Sequence, residues 1–548
     1  MLGILVMASL LASCPSELCR DIARGSLDDM RWPDFPDYRL HVQNFYQPAS
    51  YEFAWTRNGR PTKQAAAVIE VLQQANAKGL DAEDYDGPRW RERLERLHSA
   101  QPREGDLSRF DLELTVAVMR YASDLHIGRL NPGSLHPAFD LEHERDGLAS
   151  LLRKHLVSGD DVRAVFSGIE PPFEGYKRTL HALQSYLRAA NQEDGEVLPS
   201  TPKPVEPGSP YLGARRLSIL LQRLGDLAPG AAAATDQYSG ALVDAVKHFQ
   251  ARHGLEQDGR IGAATLAELN TPMRRRVLQL ALTLERWRWV PHEFSRPPIV
   301  VNIPEFELRA LNRSYQTELE MKVVVGQAYR HKTPVFAADM KHVIFRPYWN
   351  VPLSIQRAEI VPKIVADRSY LEKNGYEVVT AKKAVVTTGA IDDSTLAQLR
   401  AGKLLIRQIP GPKNSLGLVK FLFPNPHDVY LHDTPATALF SKSRRDFSHG
   451  CIRVEKPRDL AAWVLADRTE WTPERIAEAM DGDKTLQVNL NQPIPVLVVY
   501  ATAVVLANGD VRFFRDIYKQ DEELEKRLAA GRPYPKSTSD VPGPRPRG

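Results

Sequence analysis

PIVVNIPEFELRALNRSYQTELEMKVVVGQ, residues 298–327, marks a change of pattern in this chain. It holds three short runs that are rich in β-branched residues and separated by turn residues, a pattern typical of strands. Upstream the periodicity is helical. KQAAAVIEVLQQANAKGL repeats apolar residues on one helical face with Gly79 as a C-cap, and LELTVAVMRYASDLHIG predicts a second apolar helix. The sequence therefore predicts a multi-domain α+β chain, helical in front and β-rich behind.

The composition is that of a globular protein with several domains. The chain has 548 residues, more than one hydrophobic core supports, and it is 43% hydrophobic and 26% charged. Its net charge is only +4, and it has no dense Lys/Arg cluster interleaved with aromatic residues. The sequence therefore gives no indication of nucleic-acid binding.

The first residues, MLGILVMASLLASC, predict export. The apolar stretch Leu2–Ala12 has the length of a signal-peptide core and is too short to span a bilayer as a helix. It leads to Ser13-Cys14, which resembles a lipobox with Cys14 as the lipidated residue; ordinary signal cleavage near the same point is the alternative. We assign residues 1–19 to a signal peptide or lipoprotein signal. The expected location is the periplasm, with a lipid anchor if Cys14 is modified.

A proline-rich segment separates the helical front from a compact block. EDGEVLPSTPKPVEPGSP has five prolines between Pro199 and Pro210, which neither a helix nor a central strand tolerates. GARRLSILLQRLGDL and GALVDAVKHFQARHGLEQDGRIGAATLAELN then predict three helices around a Gly-rich turn. Near the C-terminus, PVLVVYATAVVLANGDVRFFRDIY predicts a hairpin with Asn508-Gly509 at its turn. The Pro- and Ser-rich residues 531–548 are predicted to be disordered.

Cysteine is scarce, and its placement bears on the chemistry. The three cysteines are Cys14, Cys19 and Cys451, and the last stands in DFSHGCIRVEK, residues 446–456. Paired cysteines form disulfides in an oxidising compartment. If Cys14 is lipidated or removed and Cys19 lies on a mobile tail, Cys451 has no natural partner. It is then either a buried structural cysteine or a nucleophile.

The residues around Cys451 fit a Cys–His acyl-transfer site. A thiol with an ordinary pKa is mostly protonated at neutral pH and needs a base, for which His432 of VYLHDTP and the adjacent His449 are the candidates. Gly450 allows a tight turn in which the N–H groups of Gly450 and Cys451 would hold an oxyanion, and Arg453 would attract a substrate carboxylate. A buried cysteine with two surface histidines is the alternative. No Cys pair or carboxylate spacing here supports zinc, so no metal or cofactor is expected.

Two segments resemble the L,D-transpeptidase catalytic domain: YLHDT, residues 430–434, and SHGCIR, residues 448–453. In that family a His stands about 16 residues before a Ser/Thr-His-Gly-Cys motif, and Ser448 follows His432 by 16 residues here. The resemblance extends through VIFRPYWNVPLSIQRAEIVPKI, NSLGLVKFLFPN and the closing VVYATAVV segment. The order of segments is similar to the large, multi-domain branch of the family from Gram-negative bacteria.

The compact block resembles the peptidoglycan-binding domain-1 family, whose hallmark is a Val-x-x-Phe-Gln-x-x-x-Gly-Leu, Asp-Gly-x-Ile-Gly and Thr-x-x-x-Leu-Asn series. The matching residues here are Val246, Phe249, Gln250, Gly254, Leu255, Asp258, Gly259, Ile261, Gly262, Thr265, Leu269 and Asn270. Most of these positions specify the three-helix fold, so the block is either a peptidoglycan-binding module or a spacer.

Patterns and resemblances together divide the chain. The expected domains after the signal are a helical scaffold at 20–196, a peptidoglycan-binding domain at 197–272, a connecting helix at 273–297 and a β-rich catalytic domain at 298–530. The large branch has an insertion in its catalytic domain, which here would fall within about residues 353–408, where helical patterns interrupt the strands. The resemblance implies that this insertion is a mobile lid over the active site.

The resemblance also implies roles for individual residues. Cys451 would be the nucleophile, and His432 its base and later its proton donor. The candidates for contacts with substrate are Trp349 and Tyr430 as cleft walls, together with Ser448, His449 and Arg453.

The reaction that the resemblance implies is a ping-pong transfer between peptidoglycan stem peptides. Cys451 would attack the carbonyl after the L-centre of meso-diaminopimelate in a donor tetrapeptide and release D-Ala. An amine of an acceptor stem would then resolve the thioester into a 3→3 cross-link. Carbapenem β-lactams would acylate the same thiol. The alternatives are an L,D-carboxypeptidase or a lipoprotein-to-murein attachment enzyme using the same site, and a non-catalytic peptidoglycan-binding scaffold, against which the intact motif argues.

Overall fold

The computed structural model describes residues 16–99, 102–136, 147–231 and 236–532. Within them the chain forms two compact units, one running from Phe294 to Tyr500 and the other containing the residues on either side of that range. No described helix combines the length and apolarity needed to cross a membrane. Cys14, the predicted lipidation site, and the predicted disordered tail from residue 533 onward lie outside the described residues.

The front of the first unit is a helical domain. Its helices are α1 (Glu17–Arg24), α2 (Arg39–Tyr46), α3 (Lys63–Gln73), α4 (Trp90–Ser99), α5 (Glu104–Ile127), α6 (Leu148–Leu151), α7 (Val162–Ile169) and α8 (Glu174–Asn191), with a ribbon of β1 (Thr56–Arg57) and β2 (Arg60–Pro61). Thr62 caps α3 by accepting a hydrogen bond from the Ala65 N–H at 3.1 Å. The long helix α5 is buried along most of its length and forms the centre of the core. The predicted helical front is confirmed.

The chain just before Arg20 is not a mobile tail, and that part of the expectation is wrong. Helix α1 begins at Glu17, and Ser16 caps it by accepting a hydrogen bond from the Cys19 N–H at 3.2 Å. Leu18 and Cys19 are buried, and Cys19 is disulfide-bonded. Because α1 is short and directly follows the apolar leader, its apolar residues are hard to separate from the leader in the sequence. Among the described residues, Cys451 is the free thiol.

The compact block is a three-helix module, as predicted. It consists of α9 (Ala214–Leu224), α10 (Ala241–Arg252) and α11 (Ala263–Leu269), followed by the long helix α12 (Met273–Arg288). The Gln250 side chain ties the Gly-rich turn together, because its amide donates to Asp258 Oδ1 at 2.9 Å and its oxygen accepts from the Gly259 N–H at 2.8 Å. The extended proline-rich segment joins the module through backbone pairing of Val205 with Ile261.

The second unit is built on one large sheet. Its strands are β3 (Ile299–Asn302), β4 (Glu307–Leu311), β5 (Thr317–Gly326), β6 (Phe336–Phe345), β11 (Val419–Leu422), β12 (Leu431–His432), β13 (Asp446–Ser448), β14 (Ile452–Val454) and β15 (Leu486–Val499). The strand order is β13-β5-β14-β12-β11-β6-β15-β3-β4, and β4 also pairs with β5, so the sheet closes on itself. Two helices follow β14, at Pro457–Val464 and Pro473–Asp481. The strands predicted within residues 298–327 are confirmed.

Residues 349–408 form a subdomain between β6 and β11. It contains a four-stranded antiparallel sheet of β7 (Trp349–Asn350), β8 (Tyr376–Val379), β9 (Val385–Thr387) and β10 (Leu405–Gln408), ordered β7-β10-β8-β9. Its α-helices are Leu353–Ile355, Val361–Ala366, Tyr370–Lys373 and Asp393–Ala401, with a π-helical turn at Gln356–Ile360. These elements share a hydrophobic core of their own. The insertion therefore contains both helices and strands, whereas the sequence pattern indicated helices. The strands do not appear in the pattern because they are too short to show a clear period of two.

The last described residues belong to the first unit and not to the catalytic unit, where the sequence assigned residues 501–530. Strands β16 (Ala503–Val505) and β17 (Val511–Phe513) form the predicted hairpin around Asn508-Gly509, and a final helix covers Gln520–Ala529. The hairpin packs on α12, where the Gln279 side chain donates to Phe514 O at 3.2 Å. The pattern predicts a hairpin but not the surface that buries it.

Candidate active site

Pairing of three strands collects the candidate residues on one face of the large sheet. Lys420 of β11 is directly opposite His432 of β12, and His432 is aligned with Arg453 of β14. Side chains alternate along a strand, so residues that pair directly share a face, and residues two positions earlier share it too. Tyr430 and Cys451 precede His432 and Arg453 by two positions, and the Ile452 N–H donates to Tyr430 O at 3.1 Å. All five side chains therefore belong to one face, which we call the cleft face.

The Cys451 thiol is half-buried and in contact with the residues before β12. It donates to the carbonyl oxygen of Asp428, 3.7 Å from Sγ, and the backbone and hydroxyl of Tyr430 also hydrogen-bond with it. Asp428 has a left-handed backbone with φ of 53°. Burial raises the pKa of Cys451 above its ordinary value, while Tyr430 and Lys420 oppose this rise. The resting group is therefore a neutral thiol at neutral pH.

The buried imidazole of His432 is held as one tautomer. Its Nδ1 is 2.5 Å from the carbonyl oxygen of Asp433, which can only accept a hydrogen bond. Nδ1 therefore carries the proton, and Nε2 is the basic nitrogen. Burial lowers the pKa of His432 to about 3, and the positive charges of Arg453 and Lys420 contribute to the shift. A neutral imidazole is the form that can accept a proton from a thiol.

Asp433 positions this histidine, a role that the motif does not reveal. Its carboxylate accepts hydrogen bonds from the Leu418 N–H at 2.8 Å and from the Thr434 N–H at 2.6 Å. It packs directly over Gly417, where an added Cβ would lie 2.3 Å from Asp433 Oδ2. Gly417 also has φ of +61°, which favours glycine. The carbonyl that orients His432 is thus fixed from two sides.

The turn before Cys451 differs from the expected oxyanion site. The Gly450 N–H donates to Ser448 Oγ at 3.1 Å, and Ser448 Oγ in turn donates to Cys451 O at 2.6 Å. Ser448 is buried, and its hydroxyl is engaged within this turn, so substrate contact by Ser448 and an oxyanion role for the Gly450 N–H stay predictions. No acceptor binds the Cys451 N–H within the described parts of the chain.

A buried threonine that the motif does not reveal holds the same turn. Thr333 donates its hydroxyl proton to Gly450 O at 2.7 Å and accepts from the Gly326 N–H at 2.8 Å. Gly450 has a backbone φ of +118°, which residues with a side chain rarely adopt. The Cys451 backbone is thereby fixed between β5 and β14.

Arg453 is a partly buried arginine on the cleft face. Its side chain forms no ion pair with any described residue, and its buried Nε has no hydrogen-bond partner there. Burial lowers its pKa from the ordinary value, and the proximity of Cys451 opposes that shift. A partly buried guanidinium without an anion is suited to bind a carboxylate from a ligand.

The remaining candidates have partners in the inserted subdomain. The Nε2 of His449 forms a hydrogen bond with Oε1 of Glu359, a residue of the π-helical turn, at 2.5 Å. The centroid of the His449 ring lies 4.9 Å from that of the His331 ring. Trp349 belongs to the small sheet, where its ring centroid is 6.4 Å from that of Tyr376. The structure thus places Tyr430 beside Cys451, whereas Trp349 packs on the core of the subdomain.

Successive parts of the chain match three known families. Residues 296–489 match the family described as "L,D-transpeptidase catalytic domain". The chain carries an L,D-transpeptidase catalytic domain. Residues 213–269 match a "Putative peptidoglycan binding domain", and residues 41–183 match a "Scaffold domain". The predicted fold class, a helical scaffold followed by a peptidoglycan-binding module and a β-rich L,D-transpeptidase domain, is confirmed.

The chain is also similar to individual proteins. The chain is 32% identical over 246 residues to a protein of Haemophilus influenzae named "Putative L,D-transpeptidase"; the match covers 45% of this chain and 48% of that protein. The chain thus spans about half the length of the curated relative that it matches. The chain is also similar to the crystal structure of an L,D-transpeptidase from Xylanimonas cellulosilytica, at 15% identity and a TM-score of 0.17, over 55% of this chain and 100% of that chain. It is similar to the crystal structure of an L,D-transpeptidase from Stackebrandtia nassauensis at 14% identity and a TM-score of 0.22, over 55% of this chain and 97% of that chain.

Proposed function

We propose that the chain is a peptidoglycan L,D-transpeptidase that forms 3→3 cross-links through a thioester on Cys451. The observation that carries the proposal is the free thiol of Cys451 on the same sheet face as the neutral, single-tautomer imidazole of His432, inside an L,D-transpeptidase catalytic domain. A peptidoglycan-binding domain in the same chain supports peptidoglycan as the substrate. The corresponding location is the cell envelope, and we propose the periplasm.

Acylation uses three groups of the site. The thiol proton of Cys451 passes to His432 Nε2 as Sγ bonds to the carbonyl carbon after the L-centre of diaminopimelate in the donor tetrapeptide. The carbonyl oxygen becomes an oxyanion and accepts a hydrogen bond from the Cys451 N–H. The C–N bond to D-Ala then breaks, and the departing amine takes the proton from His432.

Transfer to the acceptor reverses these proton movements. The amine of a second stem attacks the thioester carbonyl and gives a proton to His432. The C–S bond breaks, and the Cys451 sulfur regains its proton as the new amide forms. His432 returns to its neutral tautomer because the second proton stays bonded to Nδ1, which donates it in a hydrogen bond to the Asp433 carbonyl oxygen throughout.

Charge on the cleft face supports an anionic stem peptide as the donor. Among the described residues, the buried Nε of Arg453 has no hydrogen-bond partner and Lys420 forms no ion pair. We assign Arg453 to a carboxylate of the donor stem, for which a guanidinium provides two parallel N–H groups. Tyr430 forms a wall of the cleft beside the thiol.

Incubation of the purified protein with disaccharide-tetrapeptides tests the proposal by mass spectrometry of the products. A dimer lighter than two donors by one alanine is the expected product, and Cys451→Ala gives none. A tripeptide monomer as the main product would indicate a carboxypeptidase instead. Unchanged substrate with a folded protein would contradict catalysis altogether.

A further inference from the structure

Lys420 lies on the cleft face beside the thiol, although nothing in the Cys–His motif includes it. Its Nζ lies 3.5 Å from the ring centroid of Tyr430, a close cation–π contact. The hydroxyl of the same ring hydrogen-bonds with Cys451. Strand pairing fixes the lysine backbone directly opposite His432. Lys420 is thus held by one side chain that also contacts the nucleophile.

The charged and titratable groups around Cys451 come from four elements. Lys420 extends from β11, Asp428 from the turn before β12, and Arg453 from β14, while His432 of β12 is neutral. Lys420 lowers the pKa of Cys451 and Asp428 raises it. From the inserted subdomain, Glu359 forms a hydrogen bond with His449, two residues before Cys451.

A neutral imidazole provides no positive charge to the sulfur before the proton is transferred. A thiolate that forms at this half-buried site therefore depends on fixed cations, whose effect is large because water is partly excluded. Arg453 is one such cation, but on the proposed function it is neutralised by the substrate carboxylate. Lys420 is instead held against the Tyr430 ring, with its Nζ 3.5 Å from the ring centroid, and we assign no substrate carboxylate to it.

We propose that Lys420, seated on the ring of Tyr430, is the positioning cation that stabilises the Cys451 thiolate. The catalytic role of Lys420 rests on the proposed function, but the measurement that tests the stabilised thiolate does not. Lys420 stays protonated through both half-reactions, and the only proton that moves is the one exchanged between Cys451 and His432. Its side-chain ammonium has no described carboxylate within ion-pair distance, so its field acts on the sulfur without an intervening ion pair.

The test is the pH profile of alkylation of Cys451 by iodoacetamide, which needs no peptide substrate. Native, unreduced protein is alkylated between about pH 6 and pH 11, and the modified peptide DFSHGCIR is quantified by mass spectrometry. Lys420→Met should alkylate about tenfold more slowly at neutral pH and converge with the unsubstituted protein at the alkaline end, since one pKa unit is tenfold in thiolate. Lys341→Met, which removes an exposed lysine from the opposite face of β6, is the matched control.

Lys420→Arg separates charge from base catalysis, because arginine keeps its proton. It should restore the alkylation rate to within about threefold, as a role of charge requires. Superimposable profiles for Lys420→Met and the unsubstituted protein would overturn the inference, as would an equal loss at every pH or a failure of Lys420→Arg to rescue. If Lys420→Met does not fold, Lys420→Gln is measured in its place. A shifted profile in a protein that makes no cross-links would retain this inference and remove only the proposed function.

Discussion

The carbonyl oxygen of Asp433 lies 2.5 Å from Nδ1 of the neighbouring His432 and fixes the tautomer of that imidazole. The same aspartate anchors itself through its carboxylate to the backbone of Leu418 and Thr434. The residue that orients the base His432 is thus its immediate neighbour, Asp433. The position of Asp433 depends in turn on close packing against Gly417. Orientation of the base does not need a third catalytic side chain.

Gly417→Ala should damage both stability and activity. The new Cβ would lie 2.3 Å from Asp433 Oδ2 and would occupy a backbone with φ of +61°. A destabilisation of about 1–3 kcal/mol is expected from strain and overpacking, and Asp433 must move. Thermal unfolding and the cross-linking rate measure the two effects. Gly389→Ala is the control, since its Cβ would meet nothing within 4 Å. Equal behaviour of the two variants would refute the packing argument.

His432→Ala should slow acylation far more than His449→Ala does. His432 is buried beside Asp433 on the cleft face, whereas His449 has its Nε2 committed to Glu359 in the inserted subdomain. Loss of a general base costs about 10²–10⁴-fold, and loss of the His449 contact should cost less than about tenfold. Single-turnover acylation measures both. Glu359→Gln should match His449→Ala if the contact only positions the subdomain. Comparable losses for the two histidines would mean that the base is wrongly assigned.

The sequence predicts the parts of this protein that are local. Strands β3 to β5 and helices α3 and α5 follow from periodicity, and Cys451 and His432 follow from a motif. Lys420, Asp433 and Thr333 could not be found that way, because their importance depends on which strands become neighbours. For a related reason, the sequence does not show that the Gly450 N–H donates to Ser448 Oγ. The small sheet at 349–408 was missed because its strands have four residues or fewer.

Cys451→Ala should abolish cross-linking while leaving the fold intact. A covalent nucleophile contributes more than about 10³-fold to rate, and the half-buried thiol leaves only a small void when it is replaced. Product formation and thermal unfolding are measured in parallel. A variant that retains a tenth of the activity would contradict a covalent mechanism on this residue.

His432 should make the catalytic unit less stable as the solution becomes acidic. Burial lowers its pKa to about 3 in the folded state, below its ordinary value in the unfolded state. Between these two values the unfolded chain binds a proton that the folded chain does not. The free energy of unfolding is therefore not reduced by His432 above about pH 6.5, and below that it falls by up to about 1.4 kcal/mol per pH unit towards pH 3. His432→Gln should show a shallower fall in denaturant unfolding over this range, and an identical slope would contradict the buried neutral state.

A carbapenem should form a covalent adduct on Cys451, with a rate that rises with pH. The strained lactam amide accepts the sulfur as the stem-peptide amide would, and the carboxylate of the drug can bind Arg453. Burial raises the pKa of Cys451, so the thiolate fraction grows from neutral pH into the alkaline range. His432 stays neutral above about pH 4 because burial lowers its pKa to about 3, and its protonation therefore should not limit the rate at mildly acidic pH.

Time courses of the mass increase on the peptide DFSHGCIR, measured between about pH 5 and pH 9, provide the carbapenem rates. The adduct must be absent from Cys451→Ala, and Cys19 must remain unmodified because it is disulfide-bonded. A second titration near pH 6 would mean that His432 is charged at rest, in contradiction to its buried, single-tautomer state. A rate that is flat or declines between about pH 6 and pH 8.5 would show that a resting thiolate, and not a neutral thiol, is the attacking group.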